Sequence, residues 1–196
     1  MTEPPLTEAE IAEAERELGV RLPGEYRAYL REVSAGGALL PLRRTGRGWW
    51  WAGNDAWRRD LLTTAFPHPD SCAGSDGEPV AREPRVEEFA DDAAYAEARR
   101  AWVDEADRAE DLKTAGAVVI QEHGCGFSTL LAVTGPLAGT VWWDGRATSD
   151  LIVPLSLDHA GGGRPVRFGE WLEHGSWALL PPGWGPPSPP SPVVGR

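Results

Sequence analysis

The stretch from residue 117 to residue 143, AVVIQEHGCGFSTLLAVTGPLAGTVWW, carries the clearest structural signal in the chain. Its short apolar runs are separated by glycine turns at residues 124–126 and 135–136. Short strands joined by tight glycine turns are typical of an antiparallel meander. The predicted strands cover residues 117–120, 127–133, 140–143 and, as an edge strand, 151–155.

Two helices are predicted before this region, near the start of the chain. Thr7 and Glu10 have the spacing of a capping box, and Gly19 can end the first helix in the left-handed conformation. Pro23 suits the first position of a second helix, after a linker so short that the two helices must pack together. The predicted apolar faces are Ile11, Ala14 and Leu18 in the first helix and Tyr26, Tyr29, Leu30 and Val33 in the second.

Two further helices are predicted, one on each side of the meander. Residues 86–112 have a helical and acidic pattern, in which Asp91-Asp92 marks either a break or a new cap. A closing helix is expected over residues 167–180, with an interruption at His174-Gly175. The positions expected to be buried in the 86–112 helix are Phe89, Ala93, Ala96, Trp102, Val103 and Ala106.

These elements predict the α+β class, an antiparallel sheet flanked by helices, in a single domain over residues 1–180. An apolar run at 38–42 predicts one more strand. Residues 67–86 are rich in proline, glycine, aspartate and serine and predict a long loop. Residues 181–196 contain seven prolines and predict a disordered, polyproline-like tail.

The overall charge restricts the classes of partner. The chain of 196 residues has a net charge of -11, which argues against nucleic acid and against an anionic membrane surface. The chain also lacks a long apolar run and a secretory signal, so we expect a cytoplasmic protein. The acidic residues, such as Asp104-Glu105 on the 86–112 helix, form either a solvated surface or a docking surface for a basic partner.

The ten tryptophans are the main candidates for partner binding. Trp142 and Trp143 are adjacent on a predicted strand, so their side chains face opposite sides of the sheet. The triplet Trp49–Trp51 lies between Arg47 and Arg58, and exposed aromatics beside arginines are typical of binding hot spots. We expect at least one of these indoles to face solvent; the alternative is that all pack under helices or loops. The candidate partner-binding residues are Trp49, Trp50, Trp51, Trp142, Trp143, Asp104, Glu105 and Asp144.

No catalytic or metal constellation stands out from the sequence. His123 and Cys125 could form a nucleophile and its base, but no third residue that would orient them is identifiable, and a small buried thiol is the simpler interpretation. His68 and Cys72 add two more possible zinc ligands, but the spacings H-x3-C and H-x-C are not those of structural zinc sites. We therefore expect no enzymatic activity, no metal and no cofactor, with a Cys125-dependent hydrolase as a remote alternative.

Two blocks of motifs occur in a fixed order along the chain. They consist of Ile11, Glu15, Leu18, Gly19, Leu22-Pro23, Tyr26, Leu30 and Gly36-Gly37, then 124–126, 130–135, 139–142, Phe168 and Trp171-Leu172. This order resembles that of the SUKH superfamily, which includes the Smi/Knr-type cell-wall regulators of fungi and many bacterial toxin-immunity proteins. The chain departs from the pattern at Ser34-Ala35, where many relatives have an asparagine.

This resemblance implies an α+β fold that binds another protein without catalysis, and in bacteria the usual role is immunity against a toxin. The alternative is a regulatory scaffold whose proline-rich tail recruits a polyproline-reading domain.

Overall fold

Helix α1 (Glu8–Leu18) begins and ends at the capping residues that the sequence predicts. The Glu10 backbone N–H donates to the Thr7 hydroxyl, and the Thr7 N–H donates to the Glu10 carboxylate at 2.7 Å. Gly19 ends the helix with a φ of 72°. The computed structural model that shows this describes residues 3–54, 58–69 and 82–185.

Helix α2 (Gly24–Glu32) follows, with Pro23 as its N-cap. The two helices pack as expected, and one predicted position is wrong. Val33 is 60% exposed: α2 ends at Glu32, so the helical spacing that predicted burial of residue 33 does not extend to it. The predicted apolar positions that are buried are Ile11, Ala14, Tyr26 and Leu30.

Residues 42–51 form a β-hairpin where the sequence predicted a strand at 38–42. Strand β1 (Leu42–Thr45) runs through the basic residues and pairs antiparallel with β2 (Gly48–Trp51). The hairpin lies on α1, since the Trp49 N–H donates to the Glu17 carboxylate at 2.8 Å and Arg44 pairs with Glu13. The strand prediction was wrong because it followed the apolar run and ignored the contacts that α1 offers to a polar strand.

The four-stranded antiparallel meander is confirmed, in the order β3-β4-β5-β6. Residues Cys125 and Gly126, with φ values of 53° and 81°, form the two-residue turn between β3 and β4. Positive φ at both positions is typical of a type I′ turn, which matches the twist of the strands that it joins. The strands are β3 (Ala117–Gly124), β4 (Phe127–Ala132), β5 (Val141–Asp144) and β6 (Ile152–Pro154).

Helix α3 (Asp92–Leu112) is capped by Asp91, whose carboxylate accepts from the Ala94 N–H at 2.9 Å. It contains no fully buried residue. The predicted burial is wrong for Ala93 and Ala96, which are exposed, whereas Trp102, Val103, Ala106 and, ahead of the helix, Phe89 are partly buried. The periodicity predicted the helix correctly, but other segments cover the sheet instead. In the described part of the chain, no helix combines the length and apolar character that a membrane span needs.

The C-terminal part contains a short helix α4 (Arg146–Ser149) and a helix α5 (Phe168–His174). Gly175, with a φ of 72°, ends α5, and a 3-10 turn at Ser176–Leu179 follows, so the predicted interruption is confirmed. Trp184, beyond the predicted domain end at residue 180, packs against the core. Residues 70–81 of the predicted loop and 186–196 of the predicted tail lie outside the described residues.

Both faces of the meander are covered. The inner face packs against α1, α2, the hairpin and α5 through Val118, Ile120, Leu131, Val141 and Trp143. On the outer face, Phe66 packs against the sheet together with the partly buried Leu40 and Leu137. Burial on two faces explains why the strands read as continuous apolar runs and not as alternating ones. The outer-face residues are Ala117, Val119, Leu130, Ala132 and Trp142.

The fully buried side chain of Asn54 joins the N-terminal half to the edge strand β3. Its amide N–H donates to the Val119 carbonyl at 3.0 Å, and its carbonyl accepts from the Val119 N–H at 2.9 Å. The backbone of Asn54 in turn accepts from the Trp50 indole at 2.9 Å. One side chain thus replaces a peptide group of a missing neighbouring strand and holds the hairpin to the meander.

Replacing Asn54 by alanine leaves the N–H and C=O of Val119 without partners inside the protein. An unsatisfied buried polar group costs about 1–3 kcal/mol, so we expect Asn54→Ala to lower the free energy of unfolding by roughly 2 kcal/mol or more. Urea denaturation measures this loss. The control is Gln121→Ala, which removes a half-buried amide from β3 outside this pairing. An equal loss in both variants would contradict the role given to Asn54.

Candidate protein-binding surface

The structure buries all five tryptophans that the sequence marked for partner binding. Trp50, the most exposed of the five, is only 5% exposed. The expectation that one of these indoles faces solvent was therefore wrong. The physical reason is that both faces of the meander are covered. Trp143 packs in the core on the inner face, and Trp142 packs in the core on the outer face. The buried indoles are Trp49, Trp50, Trp51, Trp142 and Trp143.

Most of these indoles also have structural hydrogen bonds. The Trp51 indole donates to the Tyr26 hydroxyl at 2.7 Å, and burial raises the pKa of Tyr26 above its ordinary range. The Trp142 indole donates to the Thr140 hydroxyl at 2.8 Å. The guanidinium of Arg59 lies over the Trp50 ring, 4.6 Å from its centroid. These contacts use the indoles to fix the core.

The acidic candidates separate into two groups. Asp144 is buried and accepts two hydrogen bonds from the Arg146 guanidinium, at 2.7 and 2.9 Å, so its carboxylate is already occupied. Its burial disfavours a partner contact through Asp144, which stays a prediction. Asp104 and Glu105 are exposed on α3, and their contact with a basic partner stays a prediction.

The possible chemistry at Cys125 is not assembled. Cys125 is exposed at the tip of the β3-β4 turn, so the expectation of a small buried thiol was wrong as well. The Nε2 atom of His123 lies 2.7 Å from the Thr129 hydroxyl and is hydrogen-bonded there, not to the thiol. Cys72 lies outside the described residues, and among those described no group of three or more His, Cys, Asp and Glu side chains could hold a metal ion.

The exposed aromatic surface lies where the meander meets the C-terminal segment. Trp177 is 48% exposed, and its ring centroid lies 5.1 Å from that of Trp143. On the same indole, Phe127 stacks at 5.6 Å with an interplanar angle of 27°. Together with Trp184 these rings border a cleft of about 270 Å³, which we name the aromatic cleft. Its lining consists of Phe127, Trp143, Thr148, Ser149, Trp177, Gly183 and Trp184.

Two turns of the chain place the wall of the aromatic cleft. The 3-10 turn after Gly175 presents Trp177. Farther along, the Trp184 N–H donates to the Pro181 carbonyl at 3.0 Å, and Gly183 has a φ of 86°, as a type II turn requires. Trp177 and Trp184 are not among the residues that the sequence patterns predict to bind a partner. The Pro-Pro-Gly-Trp sequence of that turn was the available signal, but it fell inside the predicted tail.

A chain of hydrogen-bonded hydroxyl groups fixes the 3-10 turn that carries Trp177 against the sheet. The Trp171 indole donates to the Ser176 hydroxyl at 2.9 Å, Ser176 and Thr129 hydroxyls are 2.7 Å apart, and Thr129 reaches His123. An indole N–H can only donate, so the hydrogen bonds can all point in one direction. The Ser176 hydroxyl then donates to Thr129, and the Thr129 hydroxyl donates to the unprotonated Nε2 atom of a neutral His123. A protonated His123 would donate instead, and one hydroxyl hydrogen would lose its acceptor.

The imidazole of His123 also lies between aromatic rings, 4.6 Å from the Trp143 centroid and 5.3 Å from that of Trp177. This burial lowers the pKa of His123 below its ordinary value, since the charged form loses its hydration. The folded protein therefore keeps His123 neutral at a pH where the unfolded chain already binds a proton.

Stability should fall on acidification for this reason. Below about pH 6.5 the unfolded chain protonates His123 and the folded protein does not, so the free energy of unfolding decreases until the lowered folded-state pKa is reached. We expect His123→Gln, which keeps an acceptor for Thr129 without titrating, to reduce the loss of stability between about pH 7.5 and about pH 5.5. Urea denaturation at both pH values measures it. The control is His174→Gln, the same substitution at an exposed position of α5, and an equal change in both variants would contradict the role given to His123.

Comparison with known proteins gives one family. Residues 5–156 match the sequence model of the SMI1/KNR4 family (SUKH-1). The matched region is more than half of the chain and contains both N-terminal helices, the hairpin and the whole meander. The wall of the aromatic cleft formed by Trp177 and Trp184 follows it. Neither the curated proteins nor the solved structures contain a significant match.

Proposed function

The chain belongs to the SMI1/KNR4 family (SUKH-1), and from this premise we propose that it is a non-enzymatic module that binds and neutralises a protein toxin through the aromatic cleft. The family includes toxin-immunity proteins and is generally non-catalytic. The observation that carries the proposal is Trp177, a large aromatic side chain that is half exposed but held from below by Trp143 and His123. Tryptophan is among the residues enriched at the hot spots of protein interfaces.

The composition of the aromatic cleft supports binding of an apolar side chain from a partner. Phenyl and indole rings contribute most of the large side chains of its lining, and Thr148 and Ser149 contribute hydroxyls. Interfaces typically combine an aromatic anchor that loses all its water with polar groups around it. Trp177 has little side-chain entropy to lose because its ring already packs against the sheet.

Charge supports the same proposal and favours a basic toxin as the partner. The chain has a net charge of -11, and α3 presents acidic side chains such as Asp104 and Glu105 to solvent. Toxins that cleave nucleic acids need basic surfaces to bind phosphates. An acidic protein attracts such a toxin over distances of several ångströms and accelerates its capture.

The direct test is co-expression with each neighbouring gene product that proves toxic to the host cell. We expect the chain to protect growth and to purify with the toxin in a stoichiometric complex. If the toxin stays lethal and no complex forms with any neighbouring gene product, the proposed function is wrong.

Within that complex, Trp177→Ala should weaken binding. Loss of a hot spot costs about 2 kcal/mol, which corresponds to roughly a 30-fold increase in Kd. Isothermal titration calorimetry measures it, with circular dichroism as the check on folding. The matched control is Leu172→Ala, which removes a side chain of similar exposure (44%) from α5 outside the aromatic cleft. Equal losses of affinity in the two variants would show that the aromatic cleft is not part of the interface.

Reversing charges on α3 should slow association and leave dissociation nearly unchanged. We expect Asp104→Lys with Glu105→Lys to lower the association rate severalfold at low salt, because steering depends on the charges that face the partner. Glu87→Lys with Glu173→Lys changes the net charge by the same amount at exposed sites elsewhere. Stopped-flow kinetics over a range of salt concentrations compares them. Identical effects would show that only the total charge matters.

A further inference from the structure

The aromatic cleft opens next to the point at which the described chain ends. Gly183 and Trp184 line it, and Gly185 is the last described residue. The following residues 186–196 read PPSPPSPVVGR, with five prolines in eleven positions. We propose that the aromatic cleft is a polyproline-binding surface and that its occupant in the free protein is this segment, residues 186–196 of the same chain.

The first argument is the chemistry of the walls. Proline-rich segments are recognised in grooves lined by aromatic rings, because the flat ring faces pack against the pyrrolidine rings. Trp177 and Phe127 each pack against Trp143, with ring centroids 5.1 and 5.6 Å from it, which leaves a row of aromatic surfaces along the aromatic cleft. Such a row suits a ligand that presents proline rings at regular intervals.

The second argument is hydrogen bonding. A proline has no backbone N–H, and the polyproline II helix has no internal hydrogen bonds, so its carbonyl oxygens need outside donors. The indole N–H of Trp177 donates to none of the residues that the structure describes, although the side chain borders the aromatic cleft. An indole N–H can only donate, so it can form hydrogen bonds with the carbonyl oxygens of a proline-rich backbone.

The third argument is the tether. Because Trp184 is part of the wall, Gly185 alone separates the aromatic cleft from the first proline of the segment. A ligand joined by so short a connection has an effective concentration in the millimolar range. Eleven residues of polyproline II extend about 30 Å, more than enough to cross the aromatic cleft. A second copy of the chain or a proline-rich partner would have to reach similar concentrations to compete.

Binding of residues 186–196 to the aromatic cleft can be measured in the absence of any toxin. Failure of this inference and failure of the proposed function are therefore distinguishable.

The experiment uses a full-length variant in which the five prolines of residues 186–196 are replaced by serine, and a fluorescent peptide PPSPPSPVVGR as the probe. We expect the peptide to bind this variant at least tenfold more tightly than the wild-type chain, since the native segment competes at millimolar local concentration. Fluorescence anisotropy measures binding. Adding Trp177→Ala to the serine variant should abolish it, and adding Leu172→Ala should not.

Three results would overturn the proposal. The peptide could fail to bind the serine variant while circular dichroism shows that the variant is folded. It could bind the wild-type chain and the serine variant equally, which would leave the aromatic cleft of the native chain unoccupied. Sedimentation could instead show that the wild-type chain dimerises and the serine variant does not, which would make a second copy the occupant.

Discussion

The pairing of the Asn54 amide with the Val119 peptide is the constraint on which the rest of the structure depends. Nearby, the Leu40 N–H donates to the Ile120 carbonyl at 2.8 Å and the Gly116 N–H donates to the Leu61 carbonyl at 3.0 Å. These bonds satisfy the free edge of β3 with segments from the N-terminal half of the chain. An unpaired edge would expose backbone donors and acceptors and invite pairing with another chain. Closure of this edge also brings Phe66 and Leu40 over the outer face of the meander.

The elements that depend on neighbours in sequence could be predicted, and those that depend on distant contacts could not. Thr7, Glu10 and Gly19 act within one helix, and the Cys125-Gly126 turn acts within one hairpin, so their residue types were sufficient evidence. The β1-β2 hairpin depends on Glu17 and Glu13 of α1, and no pattern within residues 42–51 contains those contacts. Local signals therefore specified the meander and the capped helices but missed the hairpin.

The candidate surface shows the same division. Adjacent tryptophans on a strand correctly placed Trp142 and Trp143 on opposite faces, but burial of both faces depends on Phe66 and on the N-terminal helices. The exposure of Trp177 also depends on distant contacts. Gly175 ends α5 early, and the hydroxyl chain from Trp171 through Ser176 to Thr129 fixes the following turn at the edge of the core. Side-chain hydrogen bonds between residues 47 positions apart have no signature in sequence.

The residues that stabilise the domain are largely different from those that form the wall of the aromatic cleft. The cores are formed mainly by the helices and strands within residues 5–156, which also contribute Phe127, Trp143, Thr148 and Ser149 to the lining of the aromatic cleft. Its wall comes from the C-terminal segment, where Trp177 keeps nearly half of its surface in solvent and contributes correspondingly little to the core. Because the cost of removing a side chain scales with the surface it buries, changes in this wall can alter the ligand without unfolding the domain. The junction between the meander and the C-terminal segment therefore tolerates substitutions that the fully buried positions of the core do not.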